Sequence, residues 1–414
     1  MATIASGDPL AGMGVTTVVH DGLALPSTQK QLLLHGKGQA YQVHTDGEIP
    51  RLAFGELLVE IHAIGLNPID WKSAAFGWGL PRLPSMNGRE FVGRIIASEV
   101  EQGCDLKPGE WVLAVSTDYR DFRKAAFQEY AIVCCYNAIR VPSHVDPLRV
   151  ASVGVAYVAA GLALGVCLGV TFTKNHGRPF NLLDVARKYI ADVPEDILPQ
   201  IQAGIAPEAR PSKGEWVLIY GASSITAQIL IQLAKLAGLK VIGVANLQKH
   251  RELLDSLGTD LLIDRANLDH AERELNERFS EPLRFAIDTV GSETASWCQR
   301  ILAARATTHL ESHSSTEVST ELDQTKTAHL VVLTGAPKTS CASVEVHQVP
   351  IKLFHAHTKI GGHLSKWLYD LLDRDMLKLP AVEFVDGGLA AVNDALERLR
   401  AGSVSGRRLV VKTK

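Results

Sequence analysis

The sequence has no surplus of charge of either sign, no uninterrupted apolar run and few cysteines. Its 42 lysines and arginines stand against 45 aspartates and glutamates, a net charge of −3. That balance argues against a nucleic-acid or anionic-membrane partner. The longest apolar stretch, 150–170, is broken by glycines, alanines and Ser152, so it reads as a small-residue buried helix and turn and not as a membrane span. No charged n-region followed by an apolar h-region opens the chain, so no secretory signal is expected and the cytoplasm is the expected location. Six cysteines (Cys104, Cys134, Cys135, Cys167, Cys298 and Cys341) show no paired spacing. Reduced, mostly structural thiols are expected, with the adjacent pair 134–135 buried in a strand.

What is present points to two domains, since 414 residues exceed one ordinary core. The most informative stretch begins with the apolar run Trp216 to Tyr220, read as a buried strand. The turn Gly221-Ala222-Ser223-Ser224 follows, and then a helical pattern through Ile225, Ile229, Leu230 and Leu233 that stops at Gly238. A second strand reads from Val241 to Ala245. Such a strand–turn–helix–strand unit holds a dinucleotide pyrophosphate at the helix N-terminus. Residues 261–264, 285–288 and 329–333 read as further strands, with helices between them, which implies a doubly wound parallel sheet.

Before this unit, short apolar runs punctuated by Gly and Pro between residues 30 and 140 imply an all-β, barrel-like domain. The segment 171–212 repeats apolar residues at helical spacing and reads as an inserted helical excursion, a surface helix pair without a chemical role. Residues 309–327 are rich in Ser, Thr and charge and read as a surface loop. The expected boundaries are 1–150 for the β domain, with 355–414 returning to it, and 151–354 for the nucleotide domain.

The phosphate turn departs from G-x-G-x-x-G by replacing its later glycines with small residues. Gly221, Ala222, Ser223, Ser224, Ile225 and Thr226 still allow close backbone approach and add hydroxyls. The acid that would hold a ribose 2′-hydroxyl is missing at Asn246, and Lys249 and His250 follow. A 2′-phosphate suits that arrangement, so NADPH is the expected cofactor. Asp288, Val290, Leu333, Thr334 and Gly335 fall at strand C-ends, where the nicotinamide half binds.

These pieces together resemble the medium-chain dehydrogenase/reductase superfamily, a GroES-like β-barrel domain followed by a Rossmann doubly wound domain. The resemblance rests on Gly65-Leu-Asn67-Pro-Ile-Asp70-Trp-Lys72, Gly88-Arg-Glu90-Phe-Val-Gly93, Lys107-Pro-Gly-Glu-Trp-Val112, the nucleotide unit, Phe285 to Gly291 and Gly406 to Val411. It spans nearly all the chain from residue 30 and is nearest the fungal enoyl-reductase-like branch that assists polyketide synthases. Zinc-dependent members carry Cys and Gly-His-Glu where Asn67 and Gly88-Arg89-Glu90 stand, and the four-Cys lobe is also missing, so the resemblance implies no metal.

The implied reaction is reduction of an α,β-unsaturated carbonyl, on a small enone or a carrier-bound acyl chain, with a polyketide synthase as the expected partner and secondary metabolism as the setting. Negative charge then develops on the carbonyl oxygen, where a donor helps most. Lys72 is the candidate donor and Tyr157 the candidate proton source, with a surface lysine and a buried helix tyrosine as their plain alternatives. Two further readings stay open: a zinc-free quinone oxidoreductase, and a non-redox nucleotide-binding scaffold, partner subunit or cyclisation catalyst.

Overall fold

The computed structural model describes residues 18–19, 25–100, 103–173, 179–279, 283–311 and 327–414. Most of the loop expected at 309–327 lies outside them.

Among the described residues the first half builds an eight-stranded sheet. Its spine is the antiparallel pair Glu56–Gly65 and Glu90–Glu99. Alternation along the first strand sends Leu57, Val59 and Ile61 into one core and Leu58 into a smaller cluster with Ile96, Tyr130 and Ile132, as the period of two requires. The chain end returns to this sheet: Arg407–Lys412 pairs antiparallel with Glu56–Gly65 and parallel with Ala381–Val385. Asn67 to Asp70 open a helix, Pro68–Phe76, with Asn67 at its N-cap. Proline fits the first helical position, and the Asn67 N–H donates to Asp70 Oδ2 at 2.7 Å.

Two of the expected thiols are not reduced. Cys104 and Cys135 form a disulfide, with Cα atoms 6.1 Å apart. Cys134 ends the strand Tyr130–Cys134 as a half-buried free thiol. Cys135 opens the 3-10 turn Cys135–Asn137, directly after that strand, and meets Cys104 from there. Sequence spacing cannot show such a pairing, because strand packing and not chain distance closes it.

The second half forms a six-stranded, all-parallel sheet. In space the order is Leu261–Asp264, Lys240–Ala245, Trp216–Tyr220, Phe285–Asp288, Ala328–Val332 and Val344–Gln348. Read by sequence this is 3-2-1-4-5-6, which places the switch point between the first and fourth strands. The sixth strand was not expected: its Val-Glu-Val-His-Gln wording hides a partly buried edge. Helix Ile225–Leu236 lies on one face of the sheet and packs against helix Gly154–Leu162, at the crossover from the first domain.

The insertion is helical in part, as expected, with helices Leu182–Lys188 and Leu198–Ala203 after a hairpin of Thr171–Thr173 and Pro179–Asn181. It is not a surface pair. Leu182, Leu183, Ala186 and Ile201 are buried in the main core, and Phe172 and Phe180 lie 4.5 and 5.2 Å, centroid to centroid, from Trp367 of helix Thr358–Asp373. Each such Leu, Ile or Phe side chain contributes roughly 1.5–3 kcal/mol by leaving water, so the segment is structural mass and not an appendage.

Candidate active site

The phosphate turn sits at the switch point. Gly221 has φ +77°, and a Cβ there would meet Thr289 Oγ1 and Val290 Cγ2, each at 2.5 Å. Only glycine supplies both that dihedral and that space. Ser224 caps helix Ile225–Leu236, its Oγ accepting from the Ala227 N–H at 3.2 Å, and pairs with Thr289 Oγ1 at 3.0 Å. Ser223, before the cap, and Ile225 and Thr226, on the first helical turn, are half-buried, while Ala222 is buried. A narrow turn of small residues that opens onto a helix N-terminus favours phosphate oxygens. The residues present therefore fit a dinucleotide.

The other candidates at the strand ends divide into two groups. Val290 is half exposed beside Gly221, and Leu333, Thr334 and Gly335 extend from the neighbouring strand end, with the Leu333 N–H donating to the Asp288 carbonyl at 3.1 Å. Asp288 itself is fully buried, and its Oδ2 accepts from the Val290 and Gly291 N–H groups at 3.1 and 2.8 Å. It shapes the turn and does not face the crevice. Burial raises its carboxyl above the usual range, opposed first by hydrogen bonding with the Thr294 side chain and then by the Gly291 and Val290 N–H groups. Thr289, which the sequence reading passed over, joins the turn to its strand by donating to the Tyr220 carbonyl at 3.0 Å.

Asn246 caps the next helix, Leu247–Ser256, accepting from the Lys249 N–H at 3.2 Å. Lys249 is exposed, but His250 is buried and meets Ser405 Oγ at 2.8 Å. His250 is thus spent on packing against the C-terminal segment. A further exposed cation beside this helix, not among the expected site residues, is Arg265. It is exposed directly after the strand Leu261–Asp264, with its backbone N–H on the Ala245 carbonyl at 2.9 Å, and its charge helps hold the His250 imidazole below its usual range, after burial and Lys249. The signal was its position, one residue past a strand that runs beside the Asn246 strand end.

The two catalytic candidates fare differently. Lys72 is half-buried on helix Pro68–Phe76, with its Nζ 5.3 Å from the ring centroid of Trp78 and 5.8 Å from that of Trp71. Burial lowers its pKa, with no carboxylate among the described residues to oppose the shift. Tyr157 is fully buried, and its hydroxyl donates to the Leu364 carbonyl at 2.9 Å. Burial raises its pKa well above the usual range. It therefore has neither access nor a free proton, and the expectation of a catalytic tyrosine is corrected: Tyr157 holds the crossover helix to helix Thr358–Asp373.

The start of the Lys72 helix, Pro68–Phe76, joins a buried polar network. Asn67 Nδ2 donates to Glu90 Oε1 at 2.8 Å, and Arg408 Nη1 donates to Asn67 Oδ1 at 2.8 Å. Glu90 Oε2 accepts from the Val155 N–H at 2.7 Å, at the start of the crossover helix. Arg89 donates to Asn87 Oδ1 at 3.0 Å and lies 3.5 Å from the ring centroid of Tyr119. Burial raises Asp70 to about 7, with Arg89 as the leading opposing charge. A zinc ion does not fit at positions 67 and 89. An amide turned toward a carboxylate stands at one and a guanidinium at the other, and a cation brings repulsion where a ligand is needed.

Comparison with known proteins gives two matching families, described as alcohol dehydrogenase GroES-like domain over residues 53–143 and zinc-binding dehydrogenase over residues 226–336. The chain is 24% identical over 390 residues to the trans-enoyl reductase buaC of Petromyces alliaceus, covering 93% of this chain and 97% of that protein. Among solved structures it is similar in fold to the CurK enoyl reductase, with a TM-score of 0.64 at 16% identity, covering 93% of this chain and 99% of that one. It is also similar to mycobacterial Rv1454c, a structure complexed with NADPH, with a TM-score of 0.64 at 18% identity, covering 93% and 99%.

Proposed function

We propose that this chain, which belongs to the medium-chain dehydrogenase/reductase superfamily, uses NADPH to reduce the C=C bond of an α,β-unsaturated carbonyl, on acyl chains carried by a polyketide synthase. One observation carries this reading: similarity to a trans-enoyl reductase runs the length of both chains. It coincides with a dinucleotide turn and with a donor set at Asn67 and Arg89 that cannot hold zinc. In the same proposal, residues 1–150 with 355–414 form the substrate half and 151–354 the nucleotide half.

The nicotinamide dinucleotide, when bound, supplies the hydride. Gly221 to Ser224 would hold its pyrophosphate, and Lys249 and Arg265 its 2′-phosphate. Hydride addition at the substrate's β carbon moves the C=C electron pair toward the carbonyl oxygen, and the α carbon then takes a proton. Lys72, flanked by Trp71 and Trp78, would donate to that oxygen. With Tyr157 sealed in the core, the proton at the α carbon comes from water.

The test is NADPH fluorescence titration followed by NADPH oxidation with thioester enones and with quinones. Binding together with enone-dependent oxidation is the expected result. No binding, or turnover with quinones alone, would overturn the proposal. Lys72→Ala should lower kcat by about 10²-fold, the size of one lost oxyanion donor, with an unchanged melting temperature. Unchanged turnover would remove Lys72 from the mechanism.

A further inference from the structure

The outermost pair of parallel strands carries a cluster unconnected with the cofactor turn. Register sets His329 opposite Glu345, and Val331 opposite His347. Residues two apart on a strand share a face, so His329, Glu345 and His347 project together. His329 stacks at 12° on Phe285, centroids 5.9 Å apart, and this fixes its ring. His329 Nδ1 lies 3.0 Å from His347 Nε2 and 3.5 Å from Glu345 Oε2. One ligand atom from each of the three residues falls within 4.8 Å of the others.

The two separations from His329 Nδ1, 3.0 and 3.5 Å, suit a metal. Nitrogen and oxygen ligands about 2.0–2.2 Å from one zinc ion stand roughly 3–3.5 Å from each other. Two imidazoles and one carboxylate form a zinc-type donor set, and the half-exposed Glu345 leaves a side for solvent as the remaining ligand. Both imidazoles are nearly buried, at 2% and 5% exposure. His329 Nε2 has no partner among the described residues, so the polar bonding of that ring seen there is directed at the cluster. The nearby cation, Arg284, is already engaged by Glu215 at 3.3 Å and by the Ala209 carbonyl at 2.7 Å.

We propose that His329, Glu345 and His347 bind one zinc ion, which clasps the edge strand Val344–Gln348 to its neighbour. This departs from the expectation of a metal-free chain and concerns a place away from positions 67 and 89. Binding needs a lone pair on each facing nitrogen. The proton shared between Nδ1 and Nε2 in the metal-free form therefore moves to the outward nitrogen of its own ring, and the carboxylate enters ionised.

The test uses the full chain, untagged and treated with EDTA, titrated with zinc chloride by calorimetry. One tight equivalent is expected for the unaltered protein. His347→Ala should bind it more weakly by at least the roughly 10–100-fold lost when even an outer partner of a metal site is removed. Glu345→Gln, a half-exposed change that keeps the shape of the side chain, should also weaken binding and serves alone if His347→Ala does not fold. The absence of a tight equivalent in the unaltered chain overturns the site, and so does unchanged affinity in either folded variant.

Discussion

The two polar clusters that flank the crossover helix are built in opposite ways. The network of Asn67, Glu90 and Arg408 is charged and closed: Glu90 is fully buried, Arg408 is 5% exposed, and the partners come from three distant parts of the chain. The phosphate turn is nearly uncharged and open, made of backbone and small side chains whose hydroxyls stay half-buried. Buried charges need partners in place before any ligand arrives, so the first cluster ties the chain end and the crossover helix to the barrel. A ligand site needs the reverse, donors left to be satisfied by the ligand. Polar density by itself is therefore a poor guide to the site in this molecule.

That contrast can be broken experimentally. Arg408 Nη2 lies 3.6 Å from Glu90 Oε1, so Arg408→Ala leaves Glu90 buried without its cation, and unfolding in urea should show a loss of about 3–5 kcal/mol. A loss near that of a surface change would mean the network is solvated and open after all. At the turn side, Lys249→Ala combined with Arg265→Ala should weaken NADPH by roughly tenfold, about 1.4 kcal/mol, while NADH binding and the melting temperature stay as they were. Equal loss for both cofactors would assign these cations to the pyrophosphate instead. The smallest effect belongs to Tyr157→Phe, which removes one buried hydrogen bond and should cost about 1 kcal/mol of stability with kcat unchanged. A large fall in kcat would return Tyr157 to the active site.

Titration sharpens the same comparison. Burial raises the Asp70 carboxyl from 3.8 to about 7 in the folded chain. The folded state therefore holds that proton more tightly than the unfolded state, and the stability gained is full below about pH 4 and lost as pH rises toward 7. Asp70→Asn should flatten this dependence in melting curves taken across that window.

The places where sequence and structure part company share a cause. Periodicity exposed the alternating strands and helices, and the missing Cys and His at positions 67 and 89 were visible as letters. Lys72 and Tyr157 looked alike as candidates because spacing carries no information on burial: one ended half-buried beside two tryptophans, the other sealed inside the core. His250 and Lys249 are adjacent in a basic run, but a helix turns neighbours about 100° apart, and only one of them stayed outside. Arg265 was passed over because its relevance depends on which strand lies next to which.

The sequence alone determined the two-domain architecture, the nucleotide unit and the lack of a donor set for zinc at positions 67 and 89. These rest on local patterns, the periods of strand and helix and the chemistry of single side chains. The tertiary structure decided the disulfide between Cys104 and Cys135, the burial of Tyr157 and the meeting of His329, Glu345 and His347. Each depends on strand register and packing between residues far apart or unmarked in the chain, and no local pattern encodes which long-range contacts exclude water.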